Sequence, residues 1–215
     1  MAKGQGSEET QGMSSEDSVS SKWIVEKLGA PADFIDRLLS EDDWGYIIKI
    51  NAIVESVLNY ILSRCLGFKE VKDAFELIRY TPISSSNEST VSKLGLAMGF
   101  GLLSKESESF IRKLAPMRNK CAHNASGWNF NIKDYFWGFD KHQKQAWLDA
   151  VSWPTSPVGR DALWEDPKHA IFLATIAVVA QCYVHELGLD EKNRETDDLK
   201  FRAWLSAQNQ SFPKG

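Results

Sequence analysis

One stretch constrains this chain more than any other. Between Asp43 and Cys65, the residues Ile47, Ile50, Val54, Val57, Leu58, Ile61, Leu62 and Cys65 recur at spacings of three and four. That period belongs to one face of an α-helix and not to a strand. Ser40 and Asp43 resemble a cap at its start, and Gly67 ends it. Similar patterns flank it. Trp23, Ile24 and Leu28 make a short amphipathic turn that stops at Gly29, and Pro31 opens a helix with Phe34, Ile35, Leu38 and Leu39 on one side. Helices are predicted over Lys69–Arg79 and Thr90–Leu103, separated by the polar loop Thr81–Ser89. Gly95, Gly99 and Gly101 weaken the second of these. Ser104 caps a further helix through Phe110, Leu114 and Met117 to about Ala122, where Pro116 predicts a kink or a restart.

The second half changes character. Asn124–Asp140 is rich in Asn, Gly and aromatics and reads as an irregular loop or a short strand pair. Lys141–Val151 reads as a helix, and Ser152–Glu165 as a Pro-containing loop. Residues 125–165 therefore count as an irregular insertion. Asp166 followed by Pro167 starts a helix that stops at Gly188, and a last helix covers Thr196–Ala207. The apolar stretch Ala170–Val184 has 15 residues, short of the roughly 20 a membrane span needs, so a core helix and no membrane partner are expected. Nothing alternates well enough for a sheet. The predicted fold class is all-α.

Residues 1–21 are Gly, Ser, Glu and Gln with almost no large apolar group, and read as a disordered tail before one helical domain, 22–215. The whole chain has 215 residues and a formal charge of −4. In the tail, Lys3 against Glu8, Glu9, Glu16 and Asp17 leaves −3, so the body carries only −1. Three cysteines, Cys65, Cys121 and Cys182, lie far apart. That suits a reducing, cytoplasmic setting better than a disulfide framework or a zinc ribbon.

Chemistry concentrates in Leu114–Asn124, LAPMRNKCAHN. Arg118, Asn119 and His123 fit RNA phosphodiester cleavage. An imidazole can take the 2′-hydroxyl proton or protonate the leaving 5′-oxygen. A guanidinium can hold the scissile phosphate, and an amide can orient either. No cofactor is implied, and no His, Cys or acid cluster has metal-ligand spacing. From Phe110 to Lys133 the chain holds Arg112, Lys113, Arg118, Lys120 and Lys133 with no acid, a phosphate-facing patch in which Arg112, Lys113 and Lys120 are candidate RNA contacts. Trp128 and Phe130 offer stacking surfaces, although such aromatics more often anchor a core or loop. One geometric condition attaches. Asn119 and His123 share a helix face, but positions five apart lie about 140° apart around the axis. Arg118 and His123 converge only if the helix unwinds or a second copy supplies the other half. The same residues also have a purely structural reading, with His123 at a helix end and Arg118 paired to a buried acid such as Glu55.

The order of elements resembles the HEPN superfamily, the all-α domains of many prokaryotic ribonucleases and toxins. A long helix with an embedded acid, NAIVESVLNYIL, precedes STVSKLGLAMGFGLLSKESESFIRKLAPMRNKCAHN. The layout is most similar to the mannitol-operon repressor branch, over about Asp43–Asn124 plus a closing helix at Pro167–Gly188, with additional C-terminal residues beyond. The resemblance implies a helical bundle, and an Arg-x4-6-His motif at Arg118 and His123, with Asn119 beside the Arg and Glu55 as the supporting acid. It also implies two motifs meeting in one cleft of a homodimer. A metal-independent endoribonuclease of a toxin or phage-defence system follows, with RNA as substrate and an antitoxin or other protein as possible partner. Many relatives paired with an antitoxin carry a Tyr just after the His; here Asn124, Ala125 and Ser126 follow. The alternative is a non-catalytic transcriptional co-regulator or interaction module, as the repressor branch is thought to be.

Overall fold

The computed structural model describes residues 29–66, 92–123, 129–152 and 162–211, with residues 26, 82 and 83. The side chains of residues 123, 162 and 193–211 lie outside that description. So do the tail 1–21, the helix expected over 69–79, most of the loop expected over 81–89, and Trp128. Every regular element among the described residues is a helix: α1 Phe34–Ser40, α2 Asp43–Cys65, α3 Lys93–Gly99, α4 Lys105–His123, α5 Ile132–Trp137, α6 Lys141–Val151, α7 Ala162–Glu165 and α8 Pro167–Ser211. The all-α class holds.

α2 and α8 form the central pair, with α4 packed on α2 and α6 on α4. The apolar period of α2 does what its spacing requires. Ile47, Ile50, Val54, Val57, Leu58, Ile61 and Leu62 are all buried. Leu94 and Ala97 of α3, Phe110, Leu114 and Met117 of α4, and Ile171, Ala174, Val178 and Cys182 of α8 join the same core. Each buried aliphatic side chain contributes roughly 1.5–3 kcal/mol, and the sum drives the bundle together.

The helix boundaries differ from the sequence reading in several places, among them residues 162–165, read as the end of a loop and found helical. The cap of α2 is Asp42, whose carboxylate accepts the Gly45 amide at 2.6 Å, rather than Ser40. α3 is a short helix that ends before Gly101, where φ is +68° and glycine is at ease. Residues 132–137, read as loop or strand, are helical, with Asn131 capping Asp134 at 3.0 Å. The aromatics there are packed edge to face: Phe136 meets Trp147 of α6 at 5.0 Å and Trp164 of α7 at 6.0 Å. That packing, supplied from distant sequence, overrides weak local propensity. Finally, α8 runs unbroken through Gly188 to Ser211. An isolated glycine costs a helix only about 1 kcal/mol, too little to stop one with no proline or cap nearby.

α4 likewise continues through Pro116 without a restart. Pro116 is exposed, so the carbonyl it leaves unbonded faces the open side of the helix. Ser104 starts α4 as expected, accepting the Ser107 amide at 3.2 Å, and Asp166 starts α8 by accepting the His169 amide at 3.1 Å. Among the described residues two helices are long and apolar enough to cross a membrane, Asp43–Cys65 and Pro167–Lys192. The second carries the 15-residue apolar run and extends past it at both ends. In both, more than half of the apolar window is buried inside the bundle.

Candidate functional site

The motif helix α4 is fixed at both ends. At its start, Gln181 of α8 accepts the Ser104 amide at 3.1 Å and the Ser107 hydroxyl at 2.9 Å. At its end, the Trp44 indole donates to the Cys121 carbonyl at 3.0 Å. Carbonyls of a last helical turn have no partner within the helix, so this indole fills the cap role that the sequence offered to His123. Trp44 belongs to a hub at the start of α2. Asp43 accepts the Ile132 amide at 2.9 Å and pairs with Lys168 at 3.3 Å. Tyr46 donates to the Lys168 carbonyl at 2.6 Å, and Lys168 donates to the Glu41 carbonyl at 2.6 Å. Burial, then the nearby Asp166 and Asp43 carboxylates, push the Tyr46 phenol well above its ordinary value. Four helices therefore meet where α4 ends.

On α4 the buried side is Ser107, Phe110, Ile111, Leu114, Met117 and Cys121. Asn119 and Lys120 are exposed and Arg118 is half-buried. The Arg118 guanidinium donates to the Asn119 amide oxygen at 3.2 Å. Among the described residues no carboxylate pairs with Arg118. Glu55, the expected supporting acid, is held instead by Lys93 of α3 at 2.5 Å, and Lys93 has no exposed surface. Glu55 and Arg118 are thus not brought together within one chain. The backbone at His123 is still helical, which closes one of the two routes to convergence: α4 does not unwind between Arg118 and His123. Their positions remain about 140° apart around the helix.

The basic patch is partly neutralised. Arg112 pairs with Glu108 one turn earlier, at 2.8 Å. Lys113 is half-buried, and Lys120 sits over the Tyr135 ring of α5, 5.1 Å from its centroid. Phe130 packs on Tyr135 at 5.7 Å and serves the core edge. Among the described residues no three His, Cys, Asp or Glu side chains gather as a metal-ligand set.

A concave feature elsewhere in the bundle escaped the sequence reading. α5, α6, α7 and the first residue of α8 line a half-open cavity of about 230 Å³ formed by Phe136, Trp137, Leu163, Trp164, Lys133 and Lys144. Its residues are scattered over more than 30 positions, and no local motif announces them. Comparison with family models, curated proteins and solved structures finds no match for this chain.

Proposed function

We propose that this chain is a HEPN-like, metal-independent endoribonuclease that works as a homodimer. The observation that carries the reading is the Arg118–Asn119 pair, half-open on an unbroken helix, with no carboxylate among the described residues paired to the guanidinium. A purely structural Arg at this position would be expected to pair with an acid, and Glu55 is committed to Lys93. An unneutralised guanidinium is free to grip a phosphate with two parallel hydrogen bonds. Because α4 does not unwind, the His that serves this Arg comes from the partner subunit, and two α4 helices face each other across the cleft. His123 takes the proton of a 2′-hydroxyl, the 2′-oxygen attacks phosphorus, and the bond to the 5′-oxygen breaks as that oxygen gains a proton. The products are a 2′,3′-cyclic phosphate and a 5′-hydroxyl. Charge building on the phosphate oxygens is stabilised by Arg118.

The test is incubation of the purified chain with tRNA, mRNA and single-stranded RNA beside His123→Ala and Arg118→Ala. General acid–base catalysis is worth about 10²–10⁴-fold, so each variant is expected to lose at least ~100-fold in cleavage rate while melting like the parent. A wild-type chain that leaves all three RNAs intact, alone and with its cellular partners, sinks the catalytic reading and leaves the non-catalytic interaction module.

A further inference from the structure

The cavity between α5, α6 and α7 has a chemistry of its own. Its walls are rings. Phe136 is buried and pinned edge-on between Trp147 and Trp164, at interplanar angles of 83° and 87°, so the floor is preformed. Trp137 leaves 78 % of its surface open, and Trp164 leaves 37 %. Two large exposed aromatics lining one concavity form the kind of apolar patch that marks a binding site. Two lysines, Lys133 and Lys144, share the lining, and no carboxylate among the described residues does. The Lys144 ammonium stands 5.9 Å from the Trp137 ring centre. Two ammonium groups repel a cationic guest, which rules out the aromatic-cage mode of binding. A purely apolar guest would gain nothing from them. A planar ring carrying an adjacent anion uses both features.

Size narrows the class further. At about 230 Å³ the cavity is smaller than the ~300 Å³ at which sites for drug-sized ligands begin. It holds one ring system, not a whole dinucleotide. The geometry points to a nucleotide subsite: one unpaired nucleobase lies against Trp137 and Trp164, and its phosphate meets Lys133 and Lys144 at the rim. The source is a single-stranded RNA or a free mononucleotide. RNA has a path to it. α5 offers Tyr135 to Lys120 of α4 and Lys133 and Trp137 to the cavity. Lys120 follows directly on Arg118 and Asn119. Arg118 and Lys120 lie about 160° apart around α4, so a strand reaches α5 from the Lys120 side of that helix, and in this RNA form the proposal rests on the ribonuclease reading above.

The experiment uses the full chain as His123→Ala, so that RNA survives, and measures anisotropy of a fluorescein-labelled decauridylate. Competitors are uridine monophosphate, uridine, and vesicles of phosphatidylcholine with phosphatidylserine. Loss of one stacked base typically weakens binding roughly 5- to 150-fold, so Trp137→Ala is expected to bind at least ~5-fold more weakly. Lys144→Glu and Lys133→Glu are expected to weaken binding comparably and to flatten its salt dependence. Trp137 is mostly exposed and circular dichroism checks the fold of every variant. Competition by uridine monophosphate as strong as by unlabelled decauridylate assigns the subsite to a free nucleotide; competition by the oligomer alone assigns it to RNA. Uridine competing as well as its monophosphate overturns the anion role. Unchanged affinity in Trp137→Ala, or binding to vesicles alone, overturns the subsite. Cleavage by the parent chain is read separately. No cleavage with Trp137-dependent binding sinks only the catalytic reading, and cleavage with Trp137-independent binding sinks only the subsite.

Discussion

Cys121 and Cys182 keep at most 2 % of their surface, and a thiolate in such a place has no water to solvate it. Burial first, and then the neighbouring Cys65, push the Cys182 thiol up to about 12 from an ordinary 9.0. Burial pushes Cys121 up to about 11, Lys120 opposing it. In both, the folded state holds its proton where the unfolded chain has lost it. Stability from these groups is therefore complete below about pH 9 and is lost as pH climbs through 11 and 12. Urea unfolding is expected to give one stability from about pH 6 to 8 and a fall of at least ~2 kcal/mol by about pH 10.5, the Tyr46 phenol adding to the loss. A flat profile to about pH 11 would show these thiols exposed. At this scale the sequence hid as much as it revealed. The crowding of Arg118, Asn119 and His123 is visible in eleven letters. The partner of Glu55 is not, because Lys93 lies 38 residues away and a lysine is seldom fully buried.

Among the elements, α2 and α4 were legible and α5 and α8 were not, for opposite reasons. A helix with one apolar face writes its own period into the chain, as Ile47 through Leu62 do. α5 has six residues and is stable only through rings brought by α6 and α7, which no local window contains. The sequence of α8 reads as two helices parted at Gly188, yet a glycine's cost of roughly 1 kcal/mol does not end the helix. The cavity shares the α5 problem, since three separate helices and the start of a fourth make it. The end of α4 gives a direct test of how elements position the site. Trp44→Phe keeps an aromatic ring, though a smaller one, and removes the donor to the Cys121 carbonyl. A loss of about 1 kcal/mol in stability is expected from one hydrogen bond, and a larger fall in cleavage than in stability, because the freed turn carries His123. Equal melting and equal cleavage in the variant and the parent would remove Trp44 from any positioning role.

The whole molecule must supply what one helix cannot. On the proposed ribonuclease reading, Arg118 and His123 stand about 140° apart on a continuous α4, and cleavage calls on a second chain. Mixing Arg118→Ala with His123→Ala, after co-expression or refolding together, is expected to restore part of the cleavage that each lacks alone. A two-fold pair of identical surfaces places the Arg of one chain against the His of the other, so a mixed pair retains one complete set. Dimers that form and stay inactive would place both groups in one chain.

The unbroken course of α8 bears on how any such pair is to be weighed. Forty-five residues at 1.5 Å each make a rod of about 68 Å, against about 30 Å for the width of a small domain. A particle with so long an axis tumbles and drifts through a porous column like a heavier sphere. Elution volume alone will overstate its mass, so a monomer can pass for a dimer. Counting subunits here calls for light scattering or sedimentation equilibrium, in which mass is read without reference to outline.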